Sequence, residues 1–156
     1  MPKYTLIELG SLVAARDFFY KGKRGGFISF SEDDVKDAVK SALQAMSYDV
    51  KVMWGKKHGI DVVATLGTTR ILIEAIGEGT SRQHLGNNFL RVLAEILLRM
   101  TDEQTSYGIA LPAHRSLIDL VGSIPKRIRQ VLRLDFYFVK PSDDLIEVGC
   151  LRYYVE

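Results

Sequence analysis

Two apolar runs on either side of a glycine turn constrain this chain more than any other feature. Asp61-Val62-Val63-Ala64-Thr65-Leu66 leads into Gly67-Thr68, and Arg70-Ile71-Leu72-Ile73-Glu74-Ala75-Ile76 follows. β-Branched and apolar residues bounded by a turn signal predict a hairpin of two buried strands. Asp61 and Glu74 each lie six or seven residues from the turn, so the hairpin sets them at roughly facing positions. An unpaired carboxylate inside such a strand costs several kcal/mol, so Glu74 needs a cation, a metal, a hydrogen-bonding partner or a proton. Asp61 is the companion the chain offers. Two acids on adjacent strands suit a hard divalent ion such as magnesium, which favours carboxylates supplemented by water and substrate phosphate. A structural ion pair of Glu74 with Arg70, Lys57 or Arg82 would satisfy the same need.

At 156 residues and 47% hydrophobic composition, residues 1–156 suit a single domain whose core requires neither disulfides nor a structural metal. Cys150 has no internal partner for a disulfide, and the N-terminus lacks the pattern of a secretory signal, so a cytoplasmic location is expected. Arg, Glu or Gly interrupts every apolar stretch before it nears the roughly 20 residues of a bilayer span, so no membrane partner is expected. The formal net charge of +2 is too small to indicate nucleic-acid binding, which must rest on where the charges fall.

Residues 5–20 read as a helix weakened at Gly10 and Ser11, followed by a basic, glycine-rich loop over 21–26. A clearer helix starts where Ser31 can cap and Glu32, Asp33 and Asp34 meet the positive end of the helix dipole. Val35, Ala38, Val39, Ala42, Leu43 and Met46 form its buried face. Strands are predicted over 48–54, 60–66 and 70–76, then a helix over 82–100 with Leu85, Phe89, Leu93, Ile96 and Met100 inward. A strand over 107–111, a helix over 114–122, a helix opened by Pro125, a strand over 134–139 and one or two peripheral strands over 145–155 complete the order. Alternating helices and strands argue for an α/β architecture with a central mixed sheet flanked by helices.

The order αβββαβ over residues 30–140, with Gly59-Ile60-Asp61 opening one strand and Glu74-Ala75-Ile76 on the next, resembles the restriction-endonuclease-like superfamily of PD-(D/E)xK nucleases. The resemblance implies a DNA-cleaving hydrolase in which Asp61 and Glu74 hold Mg2+ or Mn2+, with products bearing 3′ hydroxyl and 5′ phosphate groups. Glu32, near the start of its helix, falls where some families place a further metal ligand. The chain departs from the pattern at Ile76, which stands where the family has lysine and can supply neither charge nor a hydrogen bond. Some members draw that cation from another element, and the candidates here are Lys57, Arg70 and Arg82, with Lys57 taken as the catalytic one. Glu78 is a further ligand candidate if its strand continues.

Lys126, Arg127, Arg129 and Arg133 are expected to form a cationic helix face while Ile128, Val131 and Leu132 pack inward, a surface suited to phosphates; with Arg82 they are the candidate DNA contacts. A solvated amphipathic helix explains the same spacing. His58, His84 and His114 lack zinc-site spacing, and Cys150 reads as a small core residue. Trp54, Tyr48, Tyr107, Phe136, Tyr137 and Phe138 read as sheet packing. The run over 151–155 could be an exposed edge that pairs two subunits as a homodimer, and covering by the chain's own helices accounts for it equally. The alternative to a nuclease is a degenerate module of the same fold that binds nucleic acid or protein without cleavage.

Overall fold

The amino-terminal segment departs from the helix expected over residues 5–20. In the computed structural model, which describes residues 3–19, 30–55, 59–78, 82–142 and 145–155, it forms a strand, β1 (Lys3–Leu9), and a short helix, α1 (Leu12–Asp17). Tyr4 and Leu6 pack into one core layer and Ile7 and Leu9 into the other, the two-residue period of a strand. Gly10 and Ser11 mark the break. Ser11 Oγ accepts the Ala14 N–H at 3.0 Å and caps α1.

The next helix, α2 (Glu32–Gln44), matches its expected position. Ser31 Oγ accepts the Asp34 N–H at 3.1 Å and the Asp34 carboxylate accepts the Ser31 N–H at 2.9 Å, which closes a capping box. Three strands follow as an antiparallel meander, β2 (Asp49–Val52), β3 (Val62–Leu66) and β4 (Thr69–Ala75). The β3–β4 turn holds Gly67 at φ +61°, a left-handed conformation that carries no Cβ penalty in glycine. The long helix α3 (Arg82–Arg99) then leads to β5 (Thr105–Pro112), parallel to β4. Two helices, α4 (Arg115–Ser123) and α5 (Lys126–Leu132), and two strands, β6 (Leu134–Ser142) and β7 (Leu145–Leu151), complete the described chain.

The strands form one mixed sheet in the order β1-β7-β6-β5-β4-β3-β2. β7 therefore lies inside the sheet, antiparallel to β6 on one side and parallel to β1 on the other. This corrects the expectation of a peripheral terminal strand open to a second subunit. The edge is covered because the N-terminal segment is a strand, and residues 152–155 leave the sheet in a turn.

Helices pack on both faces. α2 covers one with Val62, Ala64, Ile71, Ile73, Tyr137 and Cys150, and α1, α3 and α4 cover the other with Leu72, Ile76, Ile109 and Phe136. Cys150 is fully buried, as a small core residue should be. Trp54 is not sheet packing: it lies just beyond β2, exposed, with Lys40 Nζ 5.7 Å from its ring centre. Among the described residues no helix is long and apolar enough to cross a membrane.

Candidate carboxylate site

Alternation along β4 explains how an acid comes to be buried. Ile71, Ile73 and Ala75 pack toward α2, while Leu72 and Ile76 pack toward α3. Glu74 shares the parity of Leu72 and Ile76 and is only 2% exposed. From the last turn of α3, Arg99 brings Nε to 3.5 Å from Glu74 Oε1, an ion-pair distance too long for a good hydrogen bond. Among the described residues Oε1 has no hydrogen-bond partner.

The hairpin register pairs Val62 with Ile73, so Asp61 falls opposite Glu74 as the turn spacing predicts. Asp61 Oδ2 accepts the Ala75 N–H at 2.8 Å, which brings the Asp61 carboxyl beside that of Glu74. Burial, the Asp61 hydrogen bond, the Asp61 charge and the Glu95 charge together outweigh Arg99 and push the Glu74 carboxyl up to about 8. The Glu74 carboxyl therefore keeps its proton at neutral pH.

A second buried acid provides a contrast. Asp135 at the start of β6 accepts the Tyr153 N–H at 2.8 Å and lies 3.3 Å from Arg152 Nη1, while Arg152 Nε donates to Glu8 at 2.9 Å. Both Asp135 oxygens are engaged in a structural network. Glu74 differs in facing another acid with one buried oxygen unsatisfied.

Lys36 completes the cluster from α2. It is 1% exposed, with Nζ at 3.3 Å from Asp61 Oδ1, 3.5 Å from Asp33 Oδ1 and 2.7 Å from the Met53 carbonyl. The Met53 N–H donates to the Asp61 carbonyl at 2.9 Å, extending the β2–β3 ladder to the site, and Asp33 Oδ1 accepts the Gly55 N–H at 3.1 Å. One buried ammonium thus ties α2, the end of β2 and the start of β3 together.

Glu32, the first residue of α2, is half-buried and its carboxyl is raised above the ordinary range by burial and then by the Asp61 charge, against Lys36 and Arg91. It flanks the pair without closing with it into a three-ligand group; among the described residues no three His, Cys, Asp or Glu side chains form one. Its position is set by Gly77, because a Cβ there would collide with the Glu32 N and the Ser31 carbonyl carbon, backbone atoms with nowhere to go. Glu78 is tied back to the segment before α2, donating its N–H to the Phe30 carbonyl at 2.7 Å and accepting the Phe30 N–H at 3.0 Å.

The expected cations fare differently. Lys57 lies outside the described residues, and so does the side chain of Arg82 at the start of α3. Arg70 stands exposed at the opposite end of β4, near Asp102. The cations that meet the acids are Lys36 and Arg99, which the sequence reading passed over. Helical phase carried the signal for both: Lys36 lies one turn after Glu32 and seven residues before the buried Leu43, and Arg99 lies three residues after the buried Ile96.

The basic helix is also corrected. α5 presents Val131 at 75% exposure and turns Arg129 inward at 2%, the reverse of the expected face. Leu132 packs against the core and sets the phase, which brings the residue three positions earlier inward with it. Among the described residues Arg129 Nε and Nη1 have no hydrogen-bond partner, and burial lowers the affinity of the guanidinium for its proton. Arg127 is exposed and Lys126 half-buried, so of the three only Arg127 fully faces solvent.

Paired carboxylates with a buried, unsatisfied oxygen form a hard-oxygen donor set, and this fits magnesium or manganese better than a softer ion. Comparison with known proteins gives no relative: no family model, no curated protein and no solved structure matches the chain.

Proposed function

We propose that this chain is a metal-dependent nuclease of the restriction-endonuclease-like kind, hydrolysing phosphodiester bonds in DNA. One observation carries the reading: the Asp61 and Glu74 carboxyls meet across the β3–β4 hairpin with the Lys36 ammonium 3.3 Å from Asp61. The order α2-β2-β3-β4-α3-β5, with β2 to β4 antiparallel and β5 parallel to β4, supports the αβββαβ comparison.

Asp61 and Glu74 would hold Mg2+ or Mn2+, and the ion when bound would activate water and stabilise charge on the phosphate. The Ala75 N–H and Lys36 engage the two oxygens of Asp61, so this acid is held in a fixed orientation. Glu74 must give up its proton to become a ligand, and Arg99 stabilises the anion that results. Lys36 takes the electrostatic part of the absent motif lysine, since Ile76 is packed into the apolar layer beneath α3.

The second reading, a degenerate module that binds without cleaving, draws on the same Ile76 and on the three acceptors that already occupy Lys36. Incubation of linear, circular, branched and single-stranded DNA with either metal separates the two. Metal-dependent cleavage by the wild type that is lost in Asp61→Asn and Glu74→Gln supports the nuclease. Folded wild-type protein that cuts none of these substrates rejects it in favour of the degenerate module.

A further inference from the structure

We propose that the outer face of α3 is a dimerisation surface that takes α3 of a second copy of this chain, packed antiparallel about Ala94. This does not depend on the nuclease reading. The inward face of α3 is formed by Leu85, Phe89, Val92 and Ile96. On the opposite side Leu90, Ala94, Leu97 and Leu98 recur at helical spacing and are all exposed, Leu90 at 63% and Leu98 at 82%. A helix that is apolar on both sides has buried only one of them.

Two features of this face select a second copy, and its area sets how tightly. The stripe is symmetric about Ala94, so a two-fold axis there sets Leu90 against the partner's Leu98 and Leu98 against the partner's Leu90, with the small residue where the helices cross. Its charges are also self-complementary. Arg91 and Glu95 lie on one flank of the stripe, ion-paired at 2.9 Å, while Leu93 and Leu97 line the other flank. Antiparallel helices bring like flanks together, which places Arg91 opposite the partner's Glu95 and Glu95 opposite the partner's Arg91. A parallel pair would set the charged flank against the apolar one.

Area is the third consideration. An 18-residue helix is about 27 Å long, and alone it falls short of the roughly 800 Å² that each partner gives to a standard interface. Past the end of α3 lies a groove of about 350 Å³ in which Met100, Val131 and Leu132 stand beside Asp102, Glu103 and Arg133, so the apolar stripe ends with the helix. The α3 pair is therefore expected to be a weak dimer, at the low end of specific interfaces.

Sedimentation of the full chain over a micromolar concentration series tests the proposal, with circular dichroism as the check on folding. The wild type is expected to dimerise, and Leu98→Glu, at a site too exposed to disturb the fold, to weaken the dimer about tenfold or more. Arg91→Glu should weaken it as well, and Arg91→Glu with Glu95→Arg should restore it. Oxidation should cross-link Ala94→Cys and leave Asn87→Cys uncross-linked, because position 87 meets its own copy only in a parallel pair. A wild type that stays monomeric throughout overturns the proposal and leaves the stripe to a different protein. A dimer indifferent to Leu98→Glu, or one cross-linked through position 87 instead of 94, overturns it equally.

Discussion

Lys36 Nζ lies 3.3 Å from Asp61 Oδ1 where the lysine is fully buried, so the helix over one face of the sheet is pinned to the strand that opens the acidic hairpin. The pair is more than a tether. It holds one acid of the site in place while burial drives the neighbouring Glu74 toward the protonated form, and this asymmetry shapes the expected behaviour of the site.

Breaking the pair from one side leaves a buried charge uncompensated. Lys36→Met is expected to destabilise the fold by about 3–5 kcal/mol, and Asp61→Asn by a smaller amount, because asparagine can still accept the Ala75 N–H. With both substitutions neither charge remains. The double variant should therefore be more stable than the sum of the single losses predicts, with a coupling above about 1 kcal/mol. Urea unfolding of the four proteins measures it, and additive losses would mean the ammonium does not depend on Asp61.

Glu74 makes stability depend on pH. Its carboxyl is raised from 4.5 to about 8, chiefly by burial and then by Asp61, so the folded chain holds this proton across a window in which the unfolded chain has released it. Stability must then fall as pH rises from about 4.5 to about 8, by at most about 1.4 kcal/mol per pH unit, and level off above. Glu74→Gln has no proton to lose and should flatten most of that slope. Glu32 and Asp135, also raised by burial, would leave a residue of it. A variant with the slope of the wild type would assign the pH dependence elsewhere.

The hairpin, α2 and α3 were legible because each is written in local pattern: a glycine turn between β-branched runs, a capping box, a stripe of apolar residues. The facing of Asp61 and Glu74 followed from turn spacing alone. What was not legible depends on partners distant in sequence. β1 is a strand because β7, more than 130 residues away, pairs with it, and no local signal at Lys3–Leu9 announces that partner. The α5 face was misread because seven residues give little periodicity, and packing at Leu132 decided its phase. Lys36 was overlooked for a related reason: a lysine at the border of an apolar stripe reads as solvated until the acid it reaches is known.

If Asp61 and Glu74 hold a divalent ion, metal binding must displace the Glu74 proton, and affinity is expected to rise with pH up to about 8. Manganese should accordingly raise the thermal midpoint more at mildly alkaline than at mildly acidic pH, and Glu74→Gln should lose most of the increment. Calorimetry in buffers of different ionisation enthalpy should register close to one proton released per ion at neutral pH. Binding with no proton release would place the ion away from Glu74.

Arg129 is a further buried charge, and its case runs the opposite way. No acid compensates it among the described residues, two of its nitrogens lack acceptors, and burial is the cause of its lowered proton affinity. A guanidinium does not deprotonate at ordinary pH, so the desolvation stands as an uncompensated cost in the folded state. Arg129→Met keeps the chain length and the inward packing beside Leu132 while removing the charge, and it is expected to stabilise the fold by about 1–3 kcal/mol in urea unfolding. The same variant should leave any DNA affinity and its salt dependence unchanged, because the side chain does not face solvent. Arg127→Ala, on the exposed side of α5, should lower the salt slope by about one unit if that helix contacts phosphate. Loss of stability in Arg129→Met would mean that the guanidinium has an acceptor in solution.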